Sequence, residues 1–332
     1  MNSSVETSVM EAERRGIASD KIFEERSILG LEENLQTKRK SEMTDDERVR
    51  DFQRKLYQKA KQEKGFRFYV LYDKVRQIQF LREAYRRVKQ NGGCAGIDGI
   101  TFEEMESKGL PEYLSEIQKE LETFEYRVSP VKRVMIPKAD GGERPLGIPT
   151  IKDRIIQMSC KMVIEPIFEA DFEDGSYGFR PKKSAEGAIT KIKEYIKSGY
   201  MEIIDADISK YFDTIPHDNL MKLIGQRISD KNVIHLIKMW LKAPISEDNK
   251  ITGGKKTKLG TPQGSVISPL LANIYLHILD RIVNAPKSLF KNAGIKIVRY
   301  ADEALSQGCA ASAPGPGTGP FFHINGRNWF RG

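Results

Sequence analysis

Two aspartates stand where metal-assisted chemistry could begin. Asp207 lies near the end of an apolar strand-like run that starts at Met201, and Asp302 follows Ile297-Val298-Arg299-Tyr300 at what should be a tight turn. If those strands are neighbours, both carboxylates converge on one rigid patch, and paired carboxylates are what hard, oxygen-seeking Mg2+ ions require. Two such ions can activate an attacking hydroxyl and neutralise a leaving pyrophosphate. A lone aspartate at either place would more simply end a strand or cap a helix. The pairing is what points to chemistry.

Further residues are phosphate- or nucleotide-directed. Lys138 and Arg144 flank a turn, Ala139-Asp140-Gly141-Gly142, and could hold a triphosphate, the arginine by a bidentate fork and the lysine as a point charge. The plainer alternative is two exposed hairpin charges. Thr261-Pro262-Gln263-Gly264 precedes a helix, with Gly264 allowing close backbone approach and Gln263 in reach of a nucleotide; an ordinary turn is the alternative. Phe212, five residues after Asp207, is either core or a ring placed under a sugar to sense its 2′-hydroxyl. His217 follows Pro216 with no second histidine at metal spacing, and no Ser/His or Cys/His pair is spaced for nucleophilic catalysis.

The elements that must position these residues follow from periodicity. Ile204, Ala206 and Ile208 alternate with Ile203, Asp205 and Asp207, a period-2 strand with β-branched residues. Ile295–Tyr300 is a second strand, and Val128–Pro137 begins a hairpin that returns through Arg144–Pro149. Helices are predicted over 45–64, behind a capping box at Thr44–Glu47, and over 151–170, 217–227 and 231–242. Leu81, Ala84, Tyr85 and Val88 mark another, ended by Asn91-Gly92-Gly93. Ser268-Pro269 reads as the N-cap and first residue of an amphipathic helix running to Ile282. The helix over 45–64 carries Arg50, Arg54, Lys55, Lys61 and Lys64 on one face, which by itself reads as a solvated surface.

Composition narrows the class. A chain of 332 residues, 39% hydrophobic and 30% charged, has room for about two domains and is globular. It has no apolar run long enough to span a bilayer, and its glutamate-rich start resembles neither a secretory signal nor a transit peptide. Cys94, Cys160 and Cys309 lie far apart, which argues against a disulfide framework or a structural zinc site. The formal net charge of +8 favours an anionic partner, nucleic acid ahead of a membrane surface. Residues 1–43 read as a polar leader, and 306–332, rich in Gly, Pro and Ala, as a disordered tail.

Several stretches together carry a resemblance: FRFYVLYDK (66–74), NGGCAGIDGIT (91–101), IPKADGGERPLGIPT (136–150), SYGFRP (176–181), DADISKYFDTI (205–215), GTPQGSVISPLLANIYL (260–276) and RYADE (299–303). In this order, over roughly residues 48–305, the sequence resembles a group II intron-encoded reverse transcriptase, or intron maturase. The resemblance implies an α+β right-hand polymerase fold, in which an antiparallel palm sheet is packed by helices. Its parts would be a charged leader with a basic N-terminal helix (1–69), fingers (70–200), a partial palm (201–305) and a non-family tail (306–332).

It implies Mg2+ held by Asp207, the carbonyl of Ile208, and Asp302, with Glu303 beside them. Lys138 and Arg144 would contact the incoming triphosphate, Phe212 would discriminate deoxyribose, and Gln263 with Gly264 would line the nucleotide site. The partners implied are group II intron RNA, an RNA template with a DNA primer, and dNTPs, in a bacterial cytoplasm or an organelle and not at a membrane.

The sequence departs from the family pattern twice. Glu303 replaces the second aspartate of the usual Tyr-Ala-Asp-Asp, moving the carboxylate by one methylene. After Leu305 the family pattern stops, which leads to the expectation that the return strand and thumb are absent and that the reading frame is interrupted near codon 305. The function expected is Mg-dependent primer extension by a truncated, impaired polymerase; the alternative is an intron-RNA-binding maturase fragment without catalysis.

Overall fold

The computed structural model describes residues 43–137, 143–248 and 250–308. The chain divides into two units, residues 1–50 and 51–332. The first is described from residue 43, where Thr44 and Glu47 form the reciprocal capping box: the Glu47 amide donates to the Thr44 hydroxyl at 3.3 Å and the Thr44 amide to the Glu47 carboxylate at 2.8 Å. This opens helix α1, Asp45–Gln62.

Among the described residues, α1 with α2 (Tyr72–Val75), α3 (Ile78–Asn91), α4 (Phe102–Ser107) and α5 (Leu110–Glu122) lead into the hairpin β1 (Val131–Pro137) and β2 (Glu143–Ile148). Helix α3 stops where the sequence demands, with Gly92 at φ +68 as its C-cap. Next come α6 (Ile151–Glu169), α7 (Ala185–Lys197), β3 (Glu202–Asp207), α8 (Tyr211–Thr214), α9 (His217–Arg227) and α10 (Lys231–Leu241). The described residues end with β4 (Pro244–Glu247), β5 (Lys250–Gly253), α11 (Ser268–Asn284), α12 (Leu289–Asn292), β6 (Lys296–Tyr300) and β7 (Glu303–Gly308).

Helix α6 is buried nearly all round, through Ile151, Ile155, Ile156, Met162, Val163, Ile164 and Ile167, as an element with apolar residues on every face must be. Asp230 ties distant parts of the chain. One of its carboxylate oxygens accepts from the Leu71 and Tyr72 amides, and the other caps α10 through the Asn232 and Val233 amides.

Two sheets result. The hairpin belongs to a four-stranded sheet in the order β2-β1-β4-β5, antiparallel except for the β1–β4 pair. The second sheet is fully antiparallel in the order β3-β7-β6. Two expectations are corrected here. The return strand is present: β7 pairs residue for residue with β3, from Asp207↔Glu303 to Glu202↔Gly308, and with β6 on its other side. Strand pairing uses backbone groups alone, so Ser306, Gln307 and Gly308 serve although they lack the apolar pattern of the sequence reading. Ser268 is not an N-cap either. It is the first helical residue, Ile267 is the cap, and the Ser268 hydroxyl donates instead to the Pro262 carbonyl at 3.0 Å. Of the expected leader (1–43), residues 1–42 lie outside the described residues, and of the expected tail (306–332), residues 306–308 belong to β7 and the rest lie outside the described residues.

Candidate active site

The site is organised by the three-stranded sheet. Tyr300 pairs with Glu303, so Ala301 and Asp302 form a two-residue loop joining β6 to β7. Glu303 is also the partner of Asp207 on β3. The register therefore places Asp207 and Asp302 at the same end of one sheet, one residue out of direct opposition. Asp207 is exposed and Asp302 half-buried.

The loop is held from behind. Ala301 has φ +57, a left-handed conformation that is costly for a residue with a side chain. Gly178 of the SYGFRP stretch lies so close that a Cβ there would overlap the Ala301 amide nitrogen, and only glycine permits that approach. The backbone of Gly175–Tyr177 runs alongside β6: the Arg299 amide donates to the Gly175 carbonyl and the Tyr177 amide to the Arg299 carbonyl, both at 2.8 Å.

Of the remaining predicted residues, Phe212 and the loop that carries Gln263 and Gly264 lie together. The Thr261 amide donates to the Phe212 carbonyl at 2.7 Å and the Gly260 amide to the Ile215 carbonyl at 2.9 Å, so the Thr-Pro-Gln-Gly loop runs alongside α8. Gln263 approaches Asp213 at 3.4 Å, and Phe212 meets Phe179 edge to face with ring centroids 6.3 Å apart. Half of the Phe179 side chain remains exposed, and its φ is +57. Gly264, at φ +99, permits the close approach expected of it, but the partner it meets is the Gly147 carbonyl at the end of β2. The Gly147 amide in turn donates to the Gln263 carbonyl at 2.6 Å. The loop is thereby docked against the hairpin that carries Arg144, which occupies the β2 position opposite Ile136. Lys138 lies outside the described residues.

Other features turn out to be structural. His217 contacts the Gly260 carbonyl through Nε2 at 2.6 Å. On α1, Arg54 and Lys55 both pair with Asp51, and Lys61 donates to the Ala170 carbonyl, so much of that basic face is engaged within the protein. Tyr211 is buried, which pushes its phenol well above the ordinary range, and it donates to the Ala272 carbonyl of α11 at 2.8 Å.

The residues that sequence reasoning missed are those behind the loop: Ser176, Gly178, Asn273, Asp280 and Arg299. One signal was legible. An arginine in the middle of an apolar strand is almost never buried without a partner, so Arg299 implied a carboxylate somewhere in the core.

The profile of the reverse transcriptase (RNA-dependent DNA polymerase) family matches residues 136–308, just over half of the chain, with Asp207 and Asp302 inside the match. The chain belongs to the reverse transcriptase family. Its relatives place it with the group II intron-encoded members. It is 39% identical over 208 residues to the group II intron-encoded protein LtrA of Lactococcus lactis, a match covering 62% of this chain and 34% of LtrA. It is 36% identical over 242 residues to protein YkfC of Escherichia coli K12, covering 71% of this chain and 62% of YkfC. The chain thus spans less than two thirds of either relative. Among solved structures, a chain of a partial Cas6-RT-Cas1–Cas2 complex aligns with a TM-score of 0.46 at 23% identity, over 72% of this chain and 38% of that one. A likeness at that level adds nothing to the assignment.

The donor set suits a hard divalent cation. Among the described residues no group of three or more His, Cys, Asp or Glu side chains is gathered to hold a metal unaided. Two carboxylates at one sheet end, with the backbone carbonyl that follows Asp207, offer oxygen donors only. That fits an ion such as Mg2+, which binds through one or two carboxylates and completes its shell with water and substrate phosphates. Among the described residues no helix is long and apolar enough to cross a membrane.

Proposed function

We propose that this chain carries the fingers and palm of an RNA-directed DNA polymerase of a group II intron. The fingers span residues 70–200 and the palm begins at 201. The observation that carries the reading is the β3-β7-β6 register, in which Asp207 and Asp302 share a sheet end beside Phe212 and the Thr261–Gly264 loop.

The reaction is attack of a primer 3′-hydroxyl oxygen on the α-phosphorus of a deoxynucleoside triphosphate; the new P–O bond forms as the bond to pyrophosphate breaks. Asp207, the Ile208 carbonyl and Asp302 would hold Mg2+, which supplies charge neutralisation for the attacking and leaving oxygens when bound. Glu303, which the family resemblance sets beside them, follows Asp302 directly in the chain. Lys138 and Arg144 would bind the triphosphate from the hairpin, and Gln263 with Gly264 would line the nucleotide site. Phe212, braced edge-on by Phe179, would lie under the sugar and exclude a 2′-hydroxyl. Positioning and electrostatics are sufficient for this chemistry, and no covalent enzyme intermediate is needed.

The net charge of +8 fits a partner bound largely by its phosphates, here intron RNA and an RNA template paired with a DNA primer. The setting would be a bacterial cytoplasm. Extension of a DNA primer on an RNA template, with dNTPs and Mg2+, tests the reading. The parent chain should incorporate nucleotides and Asp207→Ala should not; equal incorporation by both would refute the site. The same net charge of +8 also supports a second reading, in which the chain binds intron RNA without synthesis. Salt-sensitive RNA binding unchanged by Asp207→Ala, with no extension by the parent, would select it.

A further inference from the structure

Arg299 is 1% exposed, in the middle of apolar β6, and every N–H of its guanidinium is used. Nε donates to Asp280 at 3.0 Å, and one terminal nitrogen donates to Asp280 and to the Ser176 hydroxyl, each at 2.7 Å. The other terminal nitrogen donates to the Asn273 side-chain oxygen at 2.9 Å and to the Ala301 carbonyl at 2.7 Å. Asp280 is itself 1% exposed. Asn273 completes a circuit by donating to the Gly178 carbonyl at 2.8 Å, and Gly178 is the residue packed against Ala301. Four side chains, Arg299, Asp280, Asn273 and Ser176, and the Gly178 backbone thus form one network from β6, α11 and the Ser176–Gly178 stretch, and Arg299 is its link to the Ala301 carbonyl.

A buried ion pair is a poor source of stability, because desolvation offsets much of the attraction. What a planar guanidinium supplies is direction, since its donors are fixed relative to one another. The loop needs that. Ala301 is left-handed without being glycine, and such a conformation persists only where its surroundings over-determine it.

We propose that Arg299, charge-matched by Asp280, is a positioning residue for Asp302. It holds the Ala301 carbonyl so that the strained loop has one geometry and presents the carboxylate toward the end of the sheet where Asp207 lies. The role of Asp302 rests on the polymerase reading; the fixing of the loop does not.

The test uses the full chain with Arg299→Met and Asp280→Leu combined. This removes the tether while replacing the ion pair by apolar groups of similar volume, a change that often preserves stability. Arg299→Lys is made in parallel: it keeps a charge opposite Asp280 but cannot reach Asn273 and Ala301 together. Thermal melting and hydrogen exchange of the 299–304 segment are measured on both, together with Mn2+ affinity by electron paramagnetic resonance and primer-extension kinetics.

The expected result is a cooperative melt in at least one variant, with exchange at 299–304 at least tenfold faster than in the parent. Mn2+ should bind at least tenfold more weakly, and kcat should fall while KM for primer–template stays put. Parent-like exchange in a folded variant overturns the proposal, and so does a loosened loop with parent-like Mn2+ affinity and kcat. A parent that binds no Mn2+ and extends no primer, with the loop loosened in the variants, leaves the tether standing and removes the polymerase reading instead.

Discussion

The two carboxylates of the site are carried by strands built in opposite ways. On β6, Ile297, Val298 and Arg299 are all buried, the strand is flanked by β7 on one side and by the Gly175–Tyr177 backbone on the other, and α11 packs behind it through Asp280 and Asn273. On β3, every residue but Ala206 is exposed, including Ile203 and Ile204 on successive and therefore opposite faces. Only β7 pairs with it among the described strands. Asp302 is held by the fold; Asp207 is held by one strand pairing. A site assembled from one braced and one lightly held carboxylate is preorganised on one side only. It should therefore respond very differently to substitution on its two sides.

The largest effect should come from the exposed side, and in activity alone. Asp207→Ala should reduce nucleotide incorporation to background and abolish tight Mn2+ binding. Because the side chain is exposed, the urea midpoint should move by less than about 0.5 kcal/mol-equivalent. A large stability loss would mean that β3 is braced after all and would break the comparison.

Gly178→Ala probes the braced side. The added methyl would overlap the Ala301 amide and crowd its Cα, which are backbone atoms with little freedom to give. Overpacking of this kind costs about 1–3 kcal/mol, and the upper end is expected here. Equilibrium urea unfolding measures it, and a midpoint equal to the parent's would show that the loop is not confined by Gly178.

This asymmetry was only half visible in the amino-acid pattern. The strands, the hairpin and the helices over 45–62, 151–169, 217–227 and 231–241 follow from periodicity and caps, since local burial sets them. The two aspartates were legible because each ends an apolar run. What decides the site is less local. Strand β7 has no apolar signature, and its pairing is set by backbone register against β3 and β6. The Arg299 circuit joins residues 176, 273, 280 and 299, whose adjacency depends on how α11 lies behind the sheet. Gly264 permits a close approach, as a glycine in a turn can, but the partner it meets, Gly147, lies more than a hundred residues away and could not be named from spacing.

A smaller effect should appear on acidification, again on the braced side. His277 lies on α11 beside the Phe172 ring, at a centroid distance of 5.5 Å. Burial lowers its pKa to about 4; Asp280 opposes the shift, and Arg281, Arg299 and Arg180 reinforce it. The folded protein thus resists a proton that the unfolded chain takes up near pH 6.5. Stability is full above that pH and is lost as pH falls from about 6.5 toward about 4, because the unfolded state binds more protons there. Allowing for partial exposure, the loss is on the order of 2 kcal/mol. His277→Leu should flatten the pH dependence of the unfolding free energy over that range, and an unchanged slope would locate the acid sensitivity elsewhere.

The smallest effect is expected where apolar residues look most important in the sequence. Ile203→Thr and Ile204→Thr remove alternating β-branched apolar residues from β3, and a reading by pattern alone would assign each to a core at a cost of about 1–3 kcal/mol. Here each is about half exposed, threonine keeps the β-branch that suits a strand, and little contact is lost. Each substitution should shift the urea midpoint by no more than about 0.5 kcal/mol-equivalent, in contrast to Gly178→Ala on the other side of the site. Hydrogen exchange sharpens the point: amides of 202–207 should exchange well before those of 296–300, since exposed strands with few buried contacts open first. If both isoleucine variants instead lose as much stability as Gly178→Ala, β3 is covered in solution by protein beyond the described residues. Asp207 would then be as firmly held as Asp302.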